Sequence, residues 1–141
     1  MFDYIVYTDG GYSISNNVGS SAYVILKSDG QTLVGHDSFV HRRETSQRAE
    51  LKAIIAAIGA LPDHSRAQIC TDNQPATQVL GRIPRRKTKP DIDLIVLYRQ
   101  ITRRKRLSIE LKWVRHGVHA WNQFCDNLCT EALELAEHQS I

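Results

Sequence analysis

The sequence predicts an α/β fold: a five-stranded mixed sheet flanked by helices, in the order βββαβααβα. Three observations predict it. β-Branched and aromatic runs separated by turn residues fill the first forty positions, so strands one to three form an antiparallel meander. Leu51, Ile54, Ile55, Ile58 and Leu61 then recur at helical spacing. Beyond them strands alternate with helical patterns, so strands four and five join through crossovers and run parallel.

The elements follow in order. Residues 2–9 form the first strand, which leads through a Gly/Ser/Asn turn (Gly10 to Gly19) to a second strand near 20–27. Ser28-Asp29-Gly30 is a tight turn, and a third strand follows near 31–40. Thr45 or Ser46 caps the first helix, which Pro62 stops. The strand AQIC ends at Thr71-Asp72, and Asn73 starts a short helix to about Leu80. GRIPRRKTKPD is a basic loop with two prolines. A helix over 91–104, a fifth strand over 107–115 and a last helix over 122–138 complete the chain. Trp113 is expected in the core on the fifth strand.

With 141 residues and no linker, repeat or low-complexity tract, residues 1–141 are expected to form one domain. No stretch approaches the roughly 20 apolar residues of a membrane span. The opening MFDYIVYTDG lacks a basic n-region and reads as a strand rather than a signal peptide. Cys70, Cys125 and Cys129 are an odd number without paired spacing, which points to reduced thiols and a cytoplasmic setting. Cys125 and Cys129 read as small apolar groups one helical turn apart. The net charge of +3 is unevenly spread. Between Arg82 and Arg106 ten basic residues face two acidic ones, a local charge of +8 that leaves −5 on the rest. Such an asymmetry suits an enzyme that binds a polyanion and uses carboxylates on it.

Four acids occupy poor places for charge. Asp9 and Asp72 each end an apolar strand, each after a threonine and before a turn residue. If strands one and four are neighbours, these carboxylates lie side by side. Glu50 sits on the flank of the first helix's apolar stripe, and Asp126 does the same on the last helix, three and seven residues before Cys129 and Leu133. Packed together, like charges raise each other's pKa and destabilise the fold unless a cation neutralises them. An all-oxygen set selects a hard ion, Mg²⁺ or Mn²⁺, over zinc. Such a cage can hold two ions about 4 Å apart, one activating a water and one stabilising the leaving oxygen of a phosphodiester.

The stretches TDGG (8–11), TSQRAEL (45–51), CTDNQ (70–74) and VRHG…NQFCD (114–126), in this order, resemble the ribonuclease H type 1 family over nearly the whole chain. The resemblance implies the RNase H-like fold and hydrolysis of the RNA strand of RNA–DNA hybrids, leaving a 5′-phosphate and a 3′-hydroxyl. It implies Asp9, Glu50, Asp72 and Asp126 as ligands of two Mg²⁺ (or Mn²⁺) ions. Asp9 would bridge both, Asp126 would hold the ion carrying the attacking water, and Glu50 and Asp72 the other. His116 matches a loop histidine that assists proton movement or product release; His119 fits the spacing less well. Ser46, Gln47, Gln74 and the Gly10–Gly11 backbone would read the 2′-hydroxyl, and Arg43 with Thr45 would hold a phosphate of the DNA strand. Asn122 matches an asparagine at the start of the last helix. The protein is expected to act as a monomer, away from membranes.

One departure stands out. Many family members carry a basic, Trp-rich helix between the second and third helices; here that region shrinks to GRIPRRKTKPD, without tryptophan. Arg85, Arg86 and Lys87 of this loop are candidates to contact phosphates in its place. Trp121 is either a lid residue or an anchor for the last helix. Two other readings stand beside the main one: a DNA-processing nuclease of the RNase H-like superfamily, and a catalytically silent nucleic-acid-binding domain. The first is disfavoured by Glu50 and by an aspartate on the last helix, the second by the presence of all four acids. No Gly-rich phosphate loop follows the first strand, against a nucleotide-binding α/β protein.

Overall fold

The structure, a computed structural model, describes residues 1–81 and 90–139. The elements are β1 (Tyr4–Ser13), β2 (Val18–Lys27), β3 (Leu33–Arg42), α1 (Ser46–Ala60), β4 (Arg66–Thr71), α2 (Gln74–Leu80), α3 (Ile92–Arg104), β5 (Ser108–Trp113) and α4 (Ala120–Gln139). They form one five-stranded sheet in the order β3-β2-β1-β4-β5. The pairs β1–β2 and β2–β3 are antiparallel, while β1–β4 and β4–β5 are parallel. The predicted α/β class, element order and mixed sheet are all present.

Alternation along β2 shows how the layers form. Ile25 joins Val6, Ile54, Ile58 and Ile69 in the larger core, under α1, α2 and α3. Its neighbours Val24 and Leu26 point the other way, where Cys125 and Cys129 of α4 cover them. Successive side chains on a strand face opposite sides, so α1 and α4 pack on opposite faces of the same strands. Both cysteines are buried and free, the small apolar groups that their spacing predicts. Thr45 caps α1, its Oγ1 accepting from the Arg48 amide at 3.1 Å, and Asn73 caps α2 through the Ala76 amide at 2.8 Å. No helix among the described residues is long and apolar enough to cross a membrane.

Two expectations need correction. β1 does not end at Asp9: it runs on through Gly10 and Gly11 to Ser13, because β2 keeps pairing with it as far as Ser13↔Val18. What ends near Asp9 is the other partner, since the β1–β4 ladder stops at Thr8↔Thr71. Asp9 therefore sits where the sheet splits, with β2 on one side and an opening on the other. Trp113, in turn, is not core; it is 47 % exposed. Alternation puts it on the same face as Ile109 and Leu111, which pack against the larger core. It lies further along, at the last pair of the β4–β5 ladder, where its ring stays open to solvent.

Candidate active site

The opening beside Asp9 is where the acids meet. Asp9 and Glu50 are buried, Asp72 is half-buried, and one carboxylate oxygen of each lies within 4.8 Å of the others. Three elements bring them there: β1 carries Asp9, α1 carries Glu50, and Asp72 follows the last residue of β4. The close approach of α1 to β1 depends on Gly10. A Cβ on that residue would stand 2.6 Å from the Glu50 backbone nitrogen, closer than atoms can pack.

Among the described residues no Lys or Arg pairs with these three carboxylates; their one basic neighbour is His116, at Asp72. Burial, then the charges of Asp72 and Asp126, raises the pKa of Asp9, against a 2.9 Å hydrogen bond from the Gly10 amide that lowers it. Burial, then Asp9 and Asp72, raises Glu50 further still. Glu50 Oε2 is buried without a protein partner. Asp126 stands outside the tight group of three. It is half-buried on α4 and accepts from Gln123 Nε2 at 3.3 Å, yet it is near enough for its charge to act on Asp9.

His116 is 69 % exposed, and its Nδ1 lies 2.7 Å from Asp72 Oδ2. This contact raises the pKa of the imidazole, with the charges of Asp72, Asp126 and Asp9 acting in the same direction. His119 is also exposed but turns elsewhere, its ring 5.9 Å from that of Tyr7. Trp121 packs against the smaller core and against Phe124, as an anchor of α4 rather than a lid. Asn122 is buried at the start of α4, and its Oδ1 accepts from the Gly117 amide at 3.5 Å, tying the His116 loop to the helix.

The remaining candidates surround the acids unevenly. Thr45, Ser46 and Gln74 are exposed on the turns that open α1 and α2. Gln47 is half-buried, and its Nε2 has no protein partner. Arg43 holds a left-handed backbone (φ 54°) just before α1. Gly11 lies against β2, where a Cβ would meet Ser20 Oγ at 2.8 Å. Arg85, Arg86 and Lys87 fall outside the described residues.

The residues that hold the acids in place carried weaker signals. Ser21 Oγ donates to the Ala49 carbonyl at 2.6 Å, pinning the turn of α1 that presents Glu50, and it receives His41 Nε2 at 3.0 Å. The Cys125 and Cys129 thiols reach the Tyr7 and Asp9 carbonyls at 3.3 and 3.4 Å and so brace β1 from behind. Glu44, Arg48 and Lys52 form an ion cluster beside the same helix end. Their four-residue spacing was the one available sign of it.

A mixed sheet in this strand order, with carboxylates gathered where the ladder splits, defines an α/β fold built to present acids at a sheet rim. The chain belongs to the RNase H family, whose model matches residues 2–134, and so stands among the nucleases. It is 30 % identical over 135 residues to the ribonuclease H of Campylobacter jejuni subsp. jejuni serotype O:23/36 (strain 81-176), covering 90 % of this chain and 88 % of that one. The ribonuclease HI of Campylobacter jejuni serotype O:2 matches to the same extent. Among solved structures, the N-terminal RNase H domain of a Mycobacterium tuberculosis protein superposes with a TM-score of 0.82 at 21 % identity, over 100 % of both chains. The RNase H1 of Halobacterium salinarum NRC-1 gives 0.76 at 24 % identity, over 93 % of this chain and 97 % of that one. LC11-RNase H1, solved in complex with an RNA/DNA hybrid, gives 0.79 at 18 % identity, over 94 % and 98 %. At these identities the structural likeness speaks for the fold.

Proposed function

We propose that this protein hydrolyses the RNA strand of RNA–DNA hybrids with the help of two Mg²⁺ or Mn²⁺ ions. The observation that carries the reading is the trio Asp9, Glu50 and Asp72, with oxygens within 4.8 Å of one another and, among the described residues, no Lys or Arg paired with them. A buried, unpartnered Glu50 oxygen and an all-carboxylate donor set fit a hard divalent cation. Asp9, Glu50 and Asp72 would hold it, with Asp126 at the margin. When bound, such ions supply an activated water and stabilise the leaving oxygen of a phosphodiester.

The chain's own residues do the rest. Burial of Asp9 and Glu50 keeps their carboxylates poorly solvated, which strengthens their preference for a cation over water. His116, exposed and bonded to Asp72, orients that carboxylate and can hold a proton at Nδ1 beside the reacting phosphate. Discrimination between RNA and DNA needs a reader of the 2′-hydroxyl. The unpartnered Gln47 Nε2 supports that role, shared with Ser46, Gln74 and the Gly10–Gly11 backbone. Arg43 and Thr45 are assigned to a phosphate of the DNA strand, and Arg85, Arg86 and Lys87 to other phosphates of the hybrid. The three free thiols, all buried, support work in a reducing, cytoplasmic setting.

Incubation with strand-labelled RNA–DNA hybrid, duplex DNA and duplex RNA, with and without Mg²⁺, tests the reading. The expected result is cleavage of the RNA strand of the hybrid alone, dependent on the ion. Cleavage of duplex DNA instead would favour the DNA-processing alternative, and binding without cleavage would favour a silent domain.

A further inference from the structure

We propose that Trp113 is a substrate-binding residue, its exposed ring an apolar contact for a sugar of the strand that crosses the carboxylate rim. This rests on the nuclease reading above and adds a site to it. The rim has an order set by the sheet: Asp9 at β1, Asp72 after β4, and Trp113 at the end of β5. Neighbouring strands are about 4.8 Å apart, so Trp113 stands roughly 10 Å from Asp9, about three base-pair rises along a strand. A strand placed over the acids therefore reaches it.

A single exposed tryptophan is ordinary in itself. Its attachment is what sets this one apart: indole Nε1 donates to the Asp72 carbonyl at 3.2 Å. The bond satisfies the ring's one polar group and fixes the ring against the backbone of a cluster acid, with almost half its surface turned to solvent. Next to it in the chain, the Val114 amide donates to the Thr71 carbonyl at 2.8 Å, so the support is rigid. Arg115, exposed two residues on, adds positive charge close by in the chain, whereas Lys112 points to the other face of β5. A fixed aromatic face next to the acids suits a sugar of a nucleic-acid strand, which offers an apolar surface between its phosphates. Bases in a duplex stack on one another, which leaves the sugar edges of the wide hybrid groove as the partner.

The test uses the full chain carrying Trp121→Phe, which leaves Trp113 as the only indole. Titration with an RNA–DNA hybrid in EDTA at low salt should change its emission saturably. Trp113→Ala should raise KM for the hybrid about tenfold, the loss of one aromatic contact to a nucleotide, with kcat falling much less. Trp113→Phe, which keeps a ring but loses the bond to Asp72, should stay within about threefold of the parent KM. A merely structural tryptophan would lower the melting temperature of both variants and leave the KM of the folded protein unchanged. Unchanged emission and KM in a protein that still cleaves hybrid would overturn the assignment of Trp113 alone. Failure of the unmodified protein to cleave hybrid would overturn the nuclease reading beneath it.

Discussion

Glu44 and Glu50 lie close together in the chain where α1 begins, and both are buried, at 4 % and 8 % exposure. Their surroundings push them in opposite directions. Burial alone would raise Glu44, but a hydrogen bond from Lys52, the Thr45 amide and Arg48 outweigh it and bring its pKa below the usual range. Arg48 goes on to grip Asp93 with both terminal nitrogens, at 2.9 and 2.8 Å, which ties α1 to the start of α3. Glu50 has no such partner among the described residues; burial and its acidic neighbours raise it. A charge that serves the fold is neutralised within the fold. A charge left open at the same depth is held for something from outside, and that difference separates scaffold from site more sharply than burial does.

The comparison breaks first at the acids themselves. Asp72→Asn should reduce cleavage of a labelled hybrid by more than about 100-fold, beyond the loss caused by removing a supporting group. His116→Ala, which removes only the partner of Asp72 Oδ2, should cost about 10–100-fold in kcat and leave measurable turnover. Near-normal cleavage by Asp72→Asn would show that the open acids are not the reacting centre. Complete loss in His116→Ala would give the histidine a larger role than orienting a carboxylate.

Much of this contrast was legible in the sequence, because it is written in local pattern. The strand that delivers Asp72 and the helix that presents Glu50 could each be read within a short window. What failed was what depends on distant partners. Gly10 and Gly11 look like a turn, yet β2 pairs across them and keeps them in β1. Trp113 has core-facing parity, yet it stands at the end of the β4–β5 ladder with almost half its surface open to solvent. Asp126 has the right helical phase to approach Asp9, while its oxygens remain outside the group of three. The Glu44–Arg48–Lys52 cluster went unread in the sequence despite its four-residue spacing, and its bridge to Asp93 across the fold leaves no local pattern at all.

Stability measurements sharpen the comparison at the two glutamates. Glu44→Ala leaves Lys52 and Arg48 without their buried partner and should destabilise the fold by about 1–3 kcal/mol, less than a fully buried pair because both cations are partly exposed. Glu50→Gln removes uncompensated charge and should stabilise the metal-free protein by about 1 kcal/mol, a rise of about 3 °C in Tm for a chain of this size. Mg²⁺ should then raise the Tm of the parent more than that of Glu50→Gln, since a ligand stabilises only the state that binds it. Thermal melts in EDTA and in Mg²⁺ read all three shifts. The same sign for both substitutions would end the distinction between closed and open charge.

The finest reading of the comparison is the dependence of stability on pH. An acid whose pKa is raised by folding binds more protons in the native state, so its contribution is greatest below the unfolded pKa and declines as pH rises. For Asp9, raised from 3.8 to about 7, that decline falls between about pH 4 and pH 7. Glu44 has the opposite sign: its pKa is lowered, so its contribution is present above the unfolded pKa and is lost as pH falls through the folded one. Metal-free protein should therefore lose Tm between pH 4 and 7 relative to Asp9→Asn, while Glu44→Gln should show its largest deficit near neutral pH and a smaller one in acid. Mg²⁺ should flatten the decline in the parent, because the cation holds the carboxylates ionised in the native state and replaces the protons they would otherwise bind. A parent profile in EDTA that rises from pH 4 to 7 as steeply as that of Asp9→Asn would mean that Asp9 is compensated after all, and the opening beside it would be a feature of packing.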